Sequence, residues 1–228
     1  MNIASFLDST NLKPEASASD IEDLCSQAAK YRMAAVCVQP YRLPLAARFL
    51  SGSQVKLCTV VGFPLGAAGM GIKLDEARQA LRDGADEIDM VINLGAVKDR
   101  DYKTVVREIN ELSVLKQEQN FLLKVIVETA LLSDEELISL TRLVSESGAD
   151  YIKTSTGYAS RGVTMKDIEI ITAHKFEDLR IKASGGIRNI EFALELLQAG
   201  VSRLGTSNAV QVLEEYRMMK EVIWGNKE

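Results

Sequence analysis

Histidine is nearly missing from this chain of 228 residues: His174 is the only one. That removes His-rich metal sites. It also makes a Ser-His-Asp triad a poor fit, because His174 lies in a helical segment before Lys175 and no nucleophile elbow occurs. Cysteine is almost as scarce. Cys25, Cys37 and Cys58 are odd in number and match no metal or redox spacing, so a reduced, cytoplasmic setting is expected. No apolar run approaches the roughly 18 residues of a membrane-spanning helix. The first residues, Met1 to Asp8, lack the basic start and apolar stretch of a signal peptide. Basic residues never cluster, and the formal net charge is −5, which argues against a nucleic-acid surface. Any substrate phosphate must therefore be held by local geometry. No Gly-rich phosphate turn follows Asp8, which argues against a doubly wound dinucleotide fold.

What is present is regular. Hydrophobic residues make up 46% and charged residues 26%, the balance of an ordinary globular chain able to bury a substantial core. Candidate strands fall at Ile3–Asp8, Ala34–Val38, Lys56–Val61, Glu87–Ile92, Leu122–Val127, Tyr151–Thr154, Arg180–Ala183 and Arg203–Gly205. They are rich in Val and Ile without clean polar alternation, as in a parallel sheet buried on both faces. From Asp8 to Gly205 they recur about every 28 residues, the length of one βα unit. The segments between them read as helices. Ser133-Asp134-Glu135-Glu136 is a capping box ahead of Leu137, Ile138, Leu140 and Leu143. Leu74, Ala77 and Leu81 form a stripe that stops at Gly84, and Ile190, Ala193, Leu194 and Leu197 form another that stops at Gly200. A weak repeat joins helix to strand at Gly84-Ala85-Asp86, Gly148-Ala149-Asp150 and Gly200-Val201-Ser202. Eight such units predict an α/β protein, a single-domain (β/α)8 TIM barrel with parallel strands spanning residues 1–228.

Two lysines stand out in that frame. Lys153 and Lys182 each lie in a short β-like run that ends in small, hydroxyl-bearing or glycine residues, one βα unit apart. A strand-borne lysine is costly unless paired or functional. Two on adjacent strands would crowd their ammonium groups, so that one gives up its proton more easily. A neutral lysine amine attacks carbonyl carbons. Thr156 and Gly157 follow Lys153 and offer a hydroxyl and close backbone approach. Asp89, between Ile88 and Met90, is either a structural ion-pair partner or a proton shuttle for the lysines. Asp8 is a turn residue or a member of the site, and Cys37 is most simply a small buried residue. Two late clusters, Ser184-Gly185-Gly186-Ile187-Arg188 and Gly205-Thr206-Ser207-Asn208, occupy the loops that most often hold phosphate in a barrel, or else are ordinary turns.

The chain resembles the deoxyribose-phosphate aldolases, class I aldolases of deoxynucleoside catabolism. The likeness runs through Leu7-Asp8-Ser9-Thr10-Asn11-Leu12-Lys13-Pro14, Val61-Gly62-Phe63-Pro64-Leu65-Gly66, Glu87-Ile88-Asp89-Met90-Val91-Ile92-Asn93 and Lys124-Val125-Ile126-Val127-Glu128-Thr129. It continues through Lys153-Thr154-Ser155-Thr156-Gly157, Lys182-Ala183-Ser184-Gly185-Gly186-Ile187-Arg188 and Gly205-Thr206-Ser207. The resemblance implies reversible cleavage of 2-deoxy-D-ribose 5-phosphate to D-glyceraldehyde 3-phosphate and acetaldehyde, with no metal or cofactor. It implies Lys153 as the Schiff-base lysine, Lys182 as the cation that activates it, and Asp89 as the proton-relay carboxylate. Asp8, Thr10 and Cys37 would line the pocket near the substrate. Gly185, Gly186 and Ser207 would grip the phosphate, with Gly205 and Asn208 beside them. Ser9, Tyr158 and Asn208 depart from common family residues. The end of the chain, Trp224-Gly225-Asn226-Lys227-Glu228, lacks the tail tyrosine of some members. The implied partners are small phosphosugars and aldehydes, with no nucleic acid or membrane, and a homo-oligomer is compatible with the sequence. Other class I lysine aldolases and phosphosugar-binding barrels of different activity are the alternatives.

Overall fold

The computed structural model describes residues 2–176 and 178–224. Eight strands form a closed barrel in the order β1 to β8: Leu7–Asn11, Ala35–Val38, Lys56–Val61, Glu87–Val91, Leu122–Ile126, Tyr151–Lys153, Arg180–Ser184 and Arg203–Thr206. Every neighbouring pair is parallel, including β1 with β8. Helices wrap the outside as α1 Ala18–Tyr31, α2 Leu43–Phe49, α3 Met70–Arg82, α4 Leu94–Lys98, α5 Tyr102–Gln119, α6 Asp134–Glu146, α7 Met165–His174, α8 Ile190–Gln198 and α9 Ala209–Trp224. The fold is thus the (β/α)8 barrel that the spacing predicts. The residues at the end of the chain after Trp224 lie outside the described residues.

Local rules explain the joints. Ser133 and Glu136 form a reciprocal capping box at the start of α6, which satisfies two otherwise orphaned backbone donors. The helix-stop repeat corresponds to left-handed glycines, with φ of 99° at Gly84, 78° at Gly148 and 94° at Gly200. A side chain there would be strained, so glycine ends the helix and releases the chain into the next strand.

The first element departs from expectation. Ile3–Phe6 is a 3₁₀ turn, and β1 begins only at Leu7. Ile3 and Ala4 are buried as expected, but they pack beside α9 instead of pairing with a strand. An apolar pair reads alike in either setting, so hydrophobicity alone did not separate them. The shift places Asp8 near the start of its strand and therefore deep in the barrel.

Strand residues divide by parity. Ile88, Met90, Leu123, Val125, Ile152, Ile181 and Leu204 join the main apolar core under the helices. The other parity faces the interior. There only a small apolar group gathers, namely Leu12, Ala35, Cys37, Cys58 and Val60, with Phe63 against it. The same face also carries seven buried charged side chains, Asp8, Glu87, Asp89, Lys124, Lys153, Lys182 and Arg203. Barrel interiors are ordinarily filled by branched aliphatic side chains, so a charged one points to chemistry.

Candidate active site

Lys153 and Lys182 are register partners on β6 and β7. Side chains paired this way leave the sheet on the same face. Both side-chain nitrogens reach the same oxygen: Lys153 Nζ lies 2.7 Å and Lys182 Nζ 2.8 Å from Asp89 Oδ2. The other Asp89 oxygen is also taken. Lys124 Nζ lies 2.9 Å from Oδ1, and the Cys58 thiol donates to Oδ1 at 3.2 Å. Three lysines from β5, β6 and β7 therefore converge on one carboxylate from β4.

The network continues towards the floor of the barrel. Lys182 Nζ lies 2.5 Å from Asp8 Oδ2, and Lys124 Nζ lies 2.6 Å from Glu87 Oε2. Arg203, on β8, spans Asp8 at 2.5 Å and Glu87 at 3.0 Å. Asp8, Glu87, Asp89, Lys124, Lys153, Lys182 and Arg203 are all buried. Removing one partner of such a cluster leaves an uncompensated charge away from water, which typically costs about 3–5 kcal/mol.

Burial and charge pull the ionisations in opposite directions, and charge prevails. Burial pushes the Asp8 carboxyl up, but Lys182, Arg203 and Lys124 together bring it down to about 2. Burial likewise opposes the charge on Asp89, yet Lys124, Lys153 and Lys182 hold it well below the usual carboxylate range. Burial works against the Lys182 ammonium, and Asp8 and Asp89 outweigh it, so its pKa lies above that of a free lysine. Lys124 is held charged the same way, chiefly by Asp89. Lys182 is thus a firm cation.

Above the network, at the C-terminal ends of the strands, a cavity of about 620 Å³ opens. Its lining includes Thr10, Lys153, Thr156, Gly157, Gly185, Gly186, Gly205, Ser207 and Asn208. Nine of the residues singled out from sequence therefore meet at one surface. Asp89, Lys182 and Asp8 lie beneath it, fully buried. Cys37 does not reach the cavity either, contrary to expectation: it is buried in the small apolar group with Leu12 and Val60, at the side that Phe63 covers. Gly185 and Gly186 both adopt left-handed backbone, with φ of 81° and 76°, which lets the β7 loop expose its backbone to the cavity. Ser207 and Asn208 immediately precede the N-terminus of α9, a favourable place for an anion. Lys13 and Arg188 add cationic side chains to the lining.

Several members had not been singled out. Lys124, Glu87 and Arg203 are charged residues inside strand-like runs, the same signal that marked Lys153, and could have been found by it. Glu128 had no such signal. It is buried in left-handed backbone at the end of β5, and its Oε2 accepts from both the backbone N–H and the hydroxyl of Thr156. Cys37, Cys58 and Asp89 bring one donor atom each within 4.8 Å of one another, a spacing a metal could use. The Lys124 ammonium already bridges two of those donors, at 2.9 Å from Asp89 Oδ1 and 3.4 Å from Cys58 Sγ. A cation placed there would face that ammonium directly.

A closed parallel barrel whose C-terminal cavity opens over a buried ionic network has the architecture of a barrel enzyme. Residues 4–207 match the model of the DeoC/LacD family aldolases. The chain belongs to that family. It is 47% identical to the deoxyribose-phosphate aldolase of Thermococcus gammatolerans over 219 residues, which cover 95% of this chain and 97% of the relative. It is 44% identical to the deoxyribose-phosphate aldolase of Clostridium perfringens over 212 residues, covering 93% and 94% of the two chains. The solved structure of the deoxyribose phosphate aldolase of Aeropyrum pernix, described as tetrameric, superposes with a TM-score of 0.88 at 34% identity, covering 95% of this chain and 92% of that one.

Proposed function

We propose that the protein catalyses the reversible aldol cleavage of 2-deoxy-D-ribose 5-phosphate to D-glyceraldehyde 3-phosphate and acetaldehyde through a Schiff base on Lys153. The observation that carries this reading is the charge arrangement at the cavity floor. Asp8, Glu87 and Asp89 are matched in number by Lys182, Lys124 and Arg203, which all contact them. The buried network is therefore electrically balanced with Lys153 in the uncharged form that nucleophilic attack requires. Lys153 is also the lysine of the three that lines the cavity.

In this reading the Lys153 amine adds to the C1 aldehyde of the open-chain sugar, and loss of water gives an iminium. The proton of the C3 hydroxyl passes to Asp89 through an intervening water, under the field of Lys182. The C2–C3 bond then breaks. Its electron pair moves into the iminium to give an enamine, and C3 leaves as the aldehyde of glyceraldehyde 3-phosphate. The proton returns to C2, water adds to the resulting iminium, and acetaldehyde departs with Lys153 regenerated. A carboxylate held so firmly as an anion keeps a proton only briefly, which suits a relay. Gly185, Gly186, Gly205, Ser207, Asn208 and the start of α9 bind the phosphate, and Thr10, Thr156 and Gly157 shape the wall. That binding energy orients the reacting carbons from a distance.

The chain acts as one catalytic domain over residues 1–228, a reading supported by the family match across most of that span. A cytoplasmic setting is supported by three free, buried cysteines. Among the described residues no helix is long and apolar enough to cross a membrane. A homo-oligomer is supported by the tetramer described for the Aeropyrum pernix relative.

The test is borohydride reduction in the presence of acetaldehyde, followed by peptide mass spectrometry. An ethyl group on Lys153 is expected. A protein left unmodified, or modified at another lysine while Lys153 stays free, would overturn the mechanism.

A further inference from the structure

The hydroxyls that line the cavity are almost all committed. Thr10 donates to the Asp8 carbonyl, Thr156 to Glu128, Tyr158 to the Leu12 carbonyl, Thr206 to the Ile187 carbonyl and Ser207 to Asn208 Oδ1. Ser184 is the exception among the described residues. The residue is 5% exposed, and its Oγ is buried with no hydrogen-bond partner. A buried hydroxyl left unpaired costs about 1–3 kcal/mol, so it calls for a reason.

Its position supplies one. The sequence suggested that Ser184 opens the loop after the seventh strand, but it is the last residue of β7, with the same parity as Lys182. It therefore faces inward directly above Lys182, about 6.6 Å further along the strand. Its backbone is clamped: the Ser184 N–H donates to Thr154 Oγ1 at 3.1 Å, and its carbonyl accepts from Thr154 Oγ1 and the Val163 N–H. The neighbouring strand makes room for it. A Cβ on Gly205, its register partner, would collide with Ser184 Oγ in this rotamer, so the glycine leaves room for the hydroxyl.

We propose that Ser184 is a specificity-determining residue whose hydroxyl binds the C4 hydroxyl of the sugar phosphate. The inference rests on the aldolase reading above. Along β7, Lys182 attends the C3 oxygen and Gly185 begins the phosphate grip at C5. Ser184 lies between them, level with the one remaining hydroxyl-bearing carbon. A χ1 rotation swings Oγ from Gly205 into the cavity while the backbone stays held. In the synthetic direction the same group is the C2 hydroxyl of D-glyceraldehyde 3-phosphate.

The experiment compares two phosphorylated acceptors with acetaldehyde as donor: D-glyceraldehyde 3-phosphate, and 3-oxopropyl phosphate, which lacks only that hydroxyl. In Ser184→Ala the ratio of kcat/KM between the two should fall roughly tenfold, with the loss confined to glyceraldehyde 3-phosphate. Ser207→Ala should lower both alike, since both carry phosphate. The Tm of Ser184→Ala should hold or rise, because an unpaired buried hydroxyl is removed. An unchanged ratio, or an equal fall for both acceptors, overturns the assignment of Ser184 alone. No aldol product from either acceptor with the unsubstituted protein overturns the aldolase reading, and this inference with it.

Discussion

Lys153 and Lys182 stand opposite one another on neighbouring parallel strands, and both side-chain nitrogens reach a single carboxylate oxygen. The close approach is held by Asp89, which lies between the two nitrogens, and by Asp8, which takes a second bond from Lys182. Had one lysine been offset by a single residue, its side chain would have faced the helices and the pair would not exist.

Replacing Lys182 tests whether its charge tunes the reaction. Lys182→Leu should move the pH–activity profile to more alkaline pH, because a neighbouring cation favours the uncharged form of a reacting amine. A profile that drops in height without moving would reject electrostatic tuning and leave Lys182 a structural role.

Lys124 acts on the other oxygen of Asp89. Burial alone would raise the Asp89 carboxyl, and Lys124 is foremost among the charges that lower it. Lys124→Met keeps the length and removes the charge, so Asp89 should take up its proton at higher pH. The acidic limb of the activity profile should rise accordingly. If the acidic limb stays in place, Asp89 is not the group whose ionisation limits turnover.

Asp89→Asn should cost both activity and stability. The amide leaves Lys124, Lys153 and Lys182 grouped around a neutral side chain, and breaking a buried ion pair of this kind costs about 3–5 kcal/mol. Urea unfolding would measure the loss. A variant as stable as the parent would mean that water reaches the network and screens it.

Acid should unfold the protein over a defined window. The folded Asp8 carboxyl has a pKa of about 2 against an ordinary value of 3.8, and Asp89 is also depressed. Below about pH 4 the unfolded chain therefore binds more protons than the folded one. The stabilisation is complete above that pH and is lost as pH falls through the folded value near 2. Asp8 alone contributes about 2 kcal/mol to the change. Denaturant midpoints measured from pH 5 to pH 2 would follow it, and a flat profile across that range would contradict the ion-pair description.

The linear order of residues was enough to establish the repeating frame. Periodic Val- and Ile-rich runs, the Ser133 capping box and the glycines at 84, 148 and 200 are local signals, and each rests on interactions within a few residues. They located seven of the eight strands closely. They missed the start of β1, because Ile3 and Ala4 are as apolar in a packed 3₁₀ turn as in a strand. Lys153, Lys182 and Asp89 were legible for a related reason: a charge inside an apolar strand is conspicuous in one dimension. Tertiary structure decided the rest. Whether Glu87, Lys124 and Arg203 belong with the lysines depends on strand register around the closed barrel, which brings together residues as far apart as Asp8 and Arg203. Cys37, expected at the pocket, is instead packed with Leu12, just after β1, and with Cys58 and Val60 of β3. Hydrogen-bond commitment is decided at the same level, because a hydroxyl is free or engaged according to what packs beside it. Composition shows that Thr156 and Ser184 each carry one, but only the folded barrel gives Thr156 a partner and leaves Ser184 without.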